Sequence, residues 1–192
     1  MRRPSSREIA ELLAAERLEF SHPEVGSTAR LDAAGVRESL SARYRIDRYE
    51  FSLGRGRSLF ERAAAALLSW RHFEIPWLEL HRSGPVAPGQ VVATLVRVSG
   101  LWFLNPCRVV YVEPPRDRDV AAFAYGTLRG HVVCGEERFQ VSCDRAHEEV
   151  VYTITAVSRP AIALTRLGLP LVRRIQRRFV RSSTEALARA ST

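Results

Sequence analysis

The second half of the chain contains five consecutive segments of strand length, and this feature restricts the fold more than any other. The segments alternate apolar and polar residues or run apolar, and clusters of Gly, Pro and Asp separate them. They cover residues 90–98, 107–113, 120–127, 136–143 and 150–158. Connections this short join antiparallel neighbours, because a parallel pair requires a crossover of a dozen or more residues. The sequence therefore predicts an antiparallel meander.

Further elements precede the meander. Residues 44–53 alternate apolar and polar side chains, which predicts a strand. After a glycine turn, Ser58 and Glu61 have the spacing of a capping box and predict the start of a helix. Nearer the N-terminus, residues 6–18 predict a short amphipathic helix, and residues 21–41 predict a loop or a second short helix.

A long amphipathic helix is predicted after the meander. We expect Ser158 and Pro160 to open it, and Pro170 to kink it or split it in two. Its apolar stripe consists of Leu164, Leu167, Leu171, Ile175, Phe179 and Leu187. A sheet with one apolar face must bury that face, and no other predicted element is long enough to cover it. The prediction is an α+β fold, with a curved antiparallel sheet of about six to seven strands around the long C-terminal helix.

Length and composition agree with one globular domain. The chain has 192 residues, of which 46% are hydrophobic, and no apolar run approaches the roughly 20 residues needed to cross a bilayer. Acidic residues at Glu8, Glu11 and Glu16 interrupt any apolar signal core near the N-terminus. We therefore expect a cytoplasmic protein with a single domain over residues 1–192, on which residues 1–43 pack as a helix and loop extension.

Motifs for metals and cofactors are missing from the sequence. The cysteines have no CxxC pair and no histidine at zinc-finger spacing, which favours free thiols; they are Cys107, Cys134 and Cys143. The set of His131, Glu136, Glu137 and Cys143 also lacks a recognised metal-ligand spacing. The glycine turn at residues 54–56 lacks the full dinucleotide or Walker spacing. We expect neither a metal nor a cofactor.

The excess of basic over acidic residues is concentrated on the C-terminal helix. All 29 basic residues are Arg, and the net charge is +8. Arg173, Arg177 and Arg181 are spaced by four and form one row, which is the candidate basic surface. Solvated arginines paired with scattered glutamates are the interpretation we favour. The alternative is peripheral contact with an anionic membrane, whereas nucleic acid is disfavoured as a partner.

Several ordered segments together resemble a known family. They are Glu24-Val-Gly-Ser-Thr28, Gly54-Arg-Gly56 with Phe60 and Trp70, Asn105-Pro-Cys-Arg-Val-Val-Tyr111, Phe123-Ala-Tyr-Gly-Thr-Leu-Arg-Gly-His131, Gly135-Glu-Glu-Arg-Phe139 and Ser158-Arg-Pro160. Through these segments the chain resembles domain-of-unknown-function family nineteen-ninety, a group of bacterial and plant proteins. By analogy of layout, that family is similar to the START-like, helix-grip superfamily, whose members bind apolar or amphipathic ligands. The resemblance implies a cavity between sheet and helix, and it assigns no activity.

The best-matched hairpin predicts a buried carboxyl group. Period-two alternation places Glu137 on the same face of its strand as Phe139, which should point into the core. A carboxylate buried alone is very costly, so Glu137 requires a partner or a proton. The candidate partners are Tyr125, His131 and an arginine.

Three functional hypotheses follow. The leading hypothesis is a module that binds a small apolar or amphipathic ligand between sheet and helix; the ligand-binding candidates are Tyr125, His131, Glu137, Phe139, Trp102 and Tyr111. The second is an enzyme that uses the Tyr, His and Glu cluster for acid–base chemistry. The third is the peripheral membrane protein described above. A purely structural alternative also exists for the cluster, in which a buried Glu and Arg pair fixes the hairpin.

Overall fold

Seven strands form one antiparallel sheet in the computed structural model, which describes residues 2–15, 18–115, 119–161 and 169–192. The strands are β1 (Arg45–Arg55), β2 (Leu78–His81), β3 (Val91–Val98), β4 (Leu101–Glu113), β5 (Val120–Thr127), β6 (Val133–Cys143) and β7 (Glu149–Pro160). Their order across the sheet is β1-β7-β6-β5-β4-β3-β2. The meander is therefore confirmed from β2 to β7, and β1 returns to pair with β7 at the other end.

Four α-helices accompany the sheet in the described residues. They are α1 (Ser6–Ala14), α2 (Val36–Ser41), α3 (Arg57–Leu68) and α4 (Leu169–Ser191). Short 3-10 helices occupy Thr28–Arg30 and Arg71–Phe73. None of the helices in the described part of the chain is long and apolar enough to cross a membrane.

The core lies between the inner face of the sheet and helices α3 and α4. Period-two alternation sends Phe123 and Phe139 inward from directly opposite positions on β5 and β6, and both are fully buried. Trp70, after the end of α3, packs edge-on against Phe123 with ring centroids 4.8 Å apart. From α4, Phe179 contacts the same cluster, and Leu187 is fully buried. The predicted α+β class with a sheet around the C-terminal helix is confirmed.

Several local predictions are wrong. The segment of Ser158 to Pro160 does not open a helix but continues β7, where Pro160 pairs with Val133, because pairing with β6 outweighs the local helix-start signal. Residues Ser58 and Glu61 form no capping box: the N-cap of α3 is Gly56, whose φ of 103° suits glycine.

The start of the predicted C-terminal helix is described only in part. Pro170 is the second of the residues described in α4, and the kink or split predicted at this proline involves residues 162–168, which lie outside the described residues. The two leucines predicted to begin the apolar stripe, Leu164 and Leu167, lie outside the described residues.

An N-terminal segment crosses the outer face of the sheet. Phe20 forms an isolated bridge with Leu128, and the Ser21 amide donates to the Thr127 carbonyl at 2.9 Å. A methyl group at Gly126 would lie 2.8 Å from Phe20 and 2.9 Å from His22. The glycine therefore lets this segment approach β5 closely.

The segment is fixed by one buried carboxylate, Glu136 of β6, which is 2% exposed. It accepts hydrogen bonds from the Gly26 amide at 2.6 Å and from the Thr28 amide at 2.9 Å. The Thr28 hydroxyl donates to it as well, at 2.5 Å. We call this arrangement the outer-face latch, made by Glu136, Gly26 and Thr28. Three donors satisfy a carboxylate that would otherwise be costly to bury.

Candidate functional site

A cavity of about 350 Å³ lies between the inner face of the sheet and α4. From α4 it is lined by Val172, Ile175 and Phe179, which belong to the predicted apolar stripe or lie beside it. The sheet side is mostly apolar as well, with Val96 and Phe103 among its residues. The volume is within the range of small-molecule sites, which are mostly apolar with a few polar groups.

Tyr125 and Glu137 form the polar floor of the cavity. They occupy directly opposite positions on β5 and β6, so both side chains point to the inner face. The Tyr125 hydroxyl donates a hydrogen bond to Glu137 Oε2 at 2.7 Å. Of the partners predicted for Glu137, the structure thus selects tyrosine, and no arginine among the described residues pairs with it. The structural alternative of a buried Glu and Arg pair is wrong for this residue.

The environment of Glu137 favours its protonated form. Burial raises the pKa of its carboxyl from the ordinary 4.5 to about 7, although the hydrogen bond from Tyr125 opposes the shift. Burial and the nearby Glu137 raise the pKa of Tyr125 well above its usual range. Near neutral pH, Glu137 can therefore gain or lose a proton inside the cavity, while Tyr125 stays a donor.

His131 lines the same cavity from the loop between β5 and β6. Its Nδ1 accepts a hydrogen bond from the Val133 amide at 2.9 Å, which leaves the ring proton on Nε2. Burial lowers the pKa of His131 to about 4, so the ring is neutral at physiological pH. The ring stabilises its own loop, and it faces the cavity as a neutral group.

Asn105 of β4 lines the cavity and was missed by the sequence analysis. Its side chain is 6% exposed, and its Oδ1 has no hydrogen-bond partner within the described part of the chain. A buried amide oxygen without a partner costs free energy unless a bound group supplies the hydrogen bond. The available signal was a lone amide in the apolar strand segment Phe103-Leu-Asn-Pro-Cys107.

Three predicted ligand-binding residues lie outside the cavity. Phe139 is fully buried beneath its floor, where its ring centroid is 5.3 Å from that of Tyr125. Tyr111 is on the outer face, where its hydroxyl is hydrogen-bonded to Thr28 at 2.7 Å and to Arg138 at 2.9 Å. Trp102 is stacked under Arg3 at 4.7 Å. Only Tyr125, His131 and Glu137 of the predicted set line the cavity together.

The rim of the cavity is apolar and exposed. Leu101 at the start of β4 and Leu171 in the first turn of α4 both line it, and they are 43% and 45% exposed. They are the exposed large hydrophobic residues of the described chain. Exposed apolar residues at the mouth of a cavity indicate a binding or interaction site, whereas the same residues scattered singly over a surface do not.

The predicted basic row lies on α4, and its three arginines are not among the residues that line the cavity. Arg173, Arg177 and Arg181 are exposed, and none of them forms an ion pair with a described residue. Next to them, Arg178 covers the ring of Trp77 at 4.4 Å. The sequence predicted that scattered glutamates pair with this row. No such ion pair occurs among residues 2–15, 18–115, 119–161 and 169–192.

The cysteines are free thiols in the structure. Cys107 and Cys134 are buried, and Cys143 is partly buried. Burial raises the pKa of Cys107 well above its usual range, so its thiol stays protonated next to the cavity floor. Within the described ranges, no group of three or more His, Cys, Asp and Glu side chains could hold a metal ion.

Comparison with known proteins identifies the family. The model of the Domain of unknown function (DUF1990) matches residues 21–186. The chain belongs to the DUF1990 family. The match begins at the N-terminal segment of the outer-face latch and extends into α4, so it includes the whole sheet and the cavity.

Relatives of this DUF1990 chain occur in bacteria and eukaryotes. A UPF0548 protein of Deinococcus radiodurans is 34% identical and is matched over 100% of this chain and 98% of its own length. A UPF0548 protein of Arabidopsis thaliana is 38% identical over 70% of this chain and 67% of its own length. A third, from Dictyostelium discoideum, is 32% identical over 76% of this chain and 72% of its own.

Solved structures with the helix-grip fold resemble this DUF1990 chain. The Zhui aromatase/cyclase of Streptomyces sp. R1128 aligns with a TM-score of 0.52 and 17% identity, over 77% of this chain and 93% of that one. Norcoclaurine synthase of Thalictrum flavum, in complex with dopamine and hydroxybenzaldehyde, gives a TM-score of 0.52 and 10% identity, over 76% and 85% of the two chains. At these identities the likeness establishes the fold alone.

Proposed function

We propose that this DUF1990 protein binds a small apolar or amphipathic molecule in the cavity between its sheet and α4. The observation that supports the proposal is the cavity itself, about 350 Å³ in volume, with an apolar lining and the Tyr125 and Glu137 pair at its floor. A helix that packed flush on the sheet would have buried more apolar surface. The retained volume is therefore best explained by a ligand.

Native mass spectrometry of the purified protein tests the proposal first. We expect an adduct of small-molecule mass that organic extraction removes. The stripped protein should then bind the neutral fluorescent probe N-phenyl-1-naphthylamine. A Val172→Trp variant should lose this binding because the indole fills the cavity from α4, whereas Val172→Ala should keep it. Probe binding that is equal in both variants would contradict the proposal.

The second candidate function is acid–base catalysis by the Tyr125 and Glu137 pair at the floor of the cavity. Glu137 exchanges a proton near pH 7, and its free carboxylate oxygen faces the cavity rather than an arginine. If the protein is an enzyme, the extracted ligand should change mass when incubated with the wild type. It should stay unchanged with Glu137→Gln, which keeps the acceptor for Tyr125 but cannot take up a proton.

For the outer surface of the protein, the candidate partner is an anionic membrane that it would contact peripherally. Its support is the row of Arg173, Arg177 and Arg181 on α4, which forms no ion pair with a described residue, together with the exposed rim leucines of the cavity. Such a surface would let an apolar ligand enter from the bilayer. Vesicles with and without phosphatidylserine, sedimented with the protein at low and moderate salt, test it.

The matched comparison uses two triple variants with the same net charge. In the first, the three arginines of the row are changed to Gln. In the control, Arg7, Arg37 and Arg48, which are exposed on other elements, are changed to Gln. Loss of sedimentation only in the first variant would support the surface; equal sedimentation of both would remove it.

A further inference from the structure

The cavity differs from the rest of this basic protein in its charge. The chain has 29 arginines and a net charge of +8, yet none of the described residues that line the cavity is an arginine. The ionisable carboxyl groups among these residues are Asp47, Glu136 and Glu137, and the one basic ring is that of His131. Since burial lowers the pKa of His131 to about 4, this ring adds no positive charge at neutral pH.

One of the three carboxyl groups is available to a ligand. Asp47 is engaged by Arg45, whose Nε lies 2.7 Å from both of its carboxylate oxygens. Glu136 is saturated by the three donors of the outer-face latch. Glu137 receives a single hydrogen bond, from Tyr125 to Oε2, and the described residues place no donor on Oε1. One carboxylate oxygen thus remains free at the floor of the cavity.

A second free acceptor belongs to the same lining. The Oδ1 of Asn105 has no partner among the described residues, and the side chain is 94% buried, since 6% of it is exposed. Trp77, whose indole NH could otherwise donate into the cavity, donates instead to Ser182 Oγ at 3.2 Å. The lining therefore includes two acceptors that lack donors, beside the donors of the neutral His131 ring and the Gln176 amide, and a donor on a bound molecule would satisfy these acceptors.

We propose that the ligand carries a hydrogen-bond-donating head group, held best as a primary ammonium, and that the cavity rejects a carboxylate head. The ammonium would donate to Glu137 Oε1, and to Asn105 Oδ1 after a rotation of that amide, whose oxygen is closed to solvent in the structure, while the apolar body packs against the α4 side of the cavity. A carboxylate head would lie beside Glu137, and no arginine among the described lining residues offsets the repulsion. The inference rests on the proposed ligand-binding function and adds the class of ligand to it.

The surroundings of Glu137 predict how this selectivity varies with pH. The neighbouring titratable groups are Tyr125 on β5, Cys107 on β4, Tyr152 on β7 and Tyr49 on β1, and burial raises the pKa of each of them. The cavity-lining residues of α4 include no titratable side chain. Between pH 6 and pH 8, Glu137 with its pKa of about 7 is therefore the group expected to change charge among the described residues that line the cavity. Affinity for an ammonium should rise over this range.

A matched set of probes tests the inference on the full chain. The probes are 2-(2-naphthyl)ethylamine, 2-(2-naphthyl)ethanol and 2-naphthylacetic acid, which share an aromatic body and differ in the head group. Affinities are measured by isothermal titration calorimetry at pH 6 and pH 8, at about 0.15 M salt, where the overall charge of the protein is largely screened. We expect the amine to bind most tightly and the acid least tightly at pH 8.

The amine should bind about tenfold more tightly at pH 8 than at pH 6, because the ionised fraction of a carboxyl with a pKa near 7 rises by about that factor. Affinity for the alcohol should change little. Glu137→Gln should remove both the pH dependence and the advantage of the amine over the alcohol. The control Glu185→Gln, at an exposed position of α4 outside the cavity, should retain both. Asn105→Leu should weaken amine binding at both pH values and leave the pH dependence intact.

The outcomes separate the inference from the function on which it rests. Equal affinity for the acid and the amine, or an unchanged ratio of amine to alcohol in Glu137→Gln, would overturn the head-group inference and leave ligand binding in place. Binding of none of the three probes would overturn both. If Glu137→Gln does not fold, the pH dependence of the wild type and the Asn105→Leu result decide the matter.

Discussion

Replacing Glu137 by Gln should stabilise the protein, and the gain should depend on pH. In the folded state, burial raises the pKa of this carboxyl from its ordinary 4.5 to about 7. Between these values the unfolded chain releases the proton while the folded chain keeps it, so unfolding becomes more favourable as the pH rises. Gln has no proton to release, and its side-chain oxygen still accepts the hydrogen bond from Tyr125.

The size of the effect follows from the shift in pKa. One pKa unit corresponds to about 1.4 kcal/mol, so raising the pKa from 4.5 to about 7 destabilises the wild type by at most about 3 kcal/mol above pH 7. Glu137 is partly accessible through the cavity, and water there reduces the penalty. We therefore expect Glu137→Gln to gain about 1–3 kcal/mol at pH 8 and almost nothing at pH 4.5. For a chain of this size, the gain raises the melting temperature by roughly 2–12 °C.

Urea unfolding followed by tryptophan fluorescence measures this difference. Curves for the wild type, Glu137→Gln and the exposed control Glu185→Gln would be recorded at intervals from pH 4.5 to pH 8. The difference between wild type and Glu137→Gln should widen through this window and level off above pH 7, whereas the control should follow the wild type. A difference that is constant with pH, or a variant that is less stable at pH 8 than the wild type, would refute the argument.

Three further variants test other parts of the structure. Gly135→Ala should destabilise the protein by more than about 4 kcal/mol or prevent folding, because the added methyl group would lie 2.0 Å from the Val157 carbonyl oxygen. Soluble yield and urea unfolding measure this loss, and a variant as stable as the wild type would contradict the prediction. Glu136→Gln should lower the free energy of unfolding by about 1–3 kcal/mol and speed proteolysis near residues 20–30, because the new amide group would face one of the latch donors. An unchanged rate of cleavage would count against the latch. Phe139→Ala should cost about 3–5 kcal/mol at every pH between 5 and 8, since it leaves a void in the aromatic cluster; a loss that varied with pH would argue against a purely packing role.

Local alternation predicted the sheet well. Each strand of the meander from β3 to β7 was predicted, and the shared inward face of Tyr125 and Glu137 followed from the period of two. β2 was missed because four residues are too few for an alternating pattern to be recognised. The end of β7 was missed because a serine followed by proline resembles a helix start, although pairing with β6 decides the structure there.

Helix caps show how a correct rule can be applied at the wrong place. The Ser and Glu spacing of a capping box occurs at Ser5 and Glu8 as well as at Ser58 and Glu61. In α1 both hydrogen bonds of the box are present, whereas α3 begins at Gly56 and has none. The chain turns at Gly56 from the end of β1 into α3, and this turn sets the backbone conformation of the glycine. The spacing of Ser58 and Glu61 gives no information about that turn.

The site was predicted only in part, because its composition depends on contacts between distant residues. Alternation identified Glu137 as buried, but the choice of Tyr125 over an arginine depends on strand register. Tyr111 has the same aromatic character as the cavity residues, yet a register shift next to it in β4 accompanies its placement on the outer face. Asn105 was overlooked because a missing hydrogen-bond partner is a property of the folded state alone.

The outer-face latch sets a limit on how far the protein can be shortened. Residues 2–15 carry α1, and the ion pair that joins this segment to the rest of the described chain, between Arg3 and Glu79, is at the surface. Deleting them should leave a folded protein. A truncation that began after Thr28 would instead remove every donor that Glu136 accepts from this segment and leave the carboxylate stranded on β6. Because Glu137 is the next residue on that strand, the smallest fragment with an intact cavity must include residues on the opposite side of the sheet, well before the first strand.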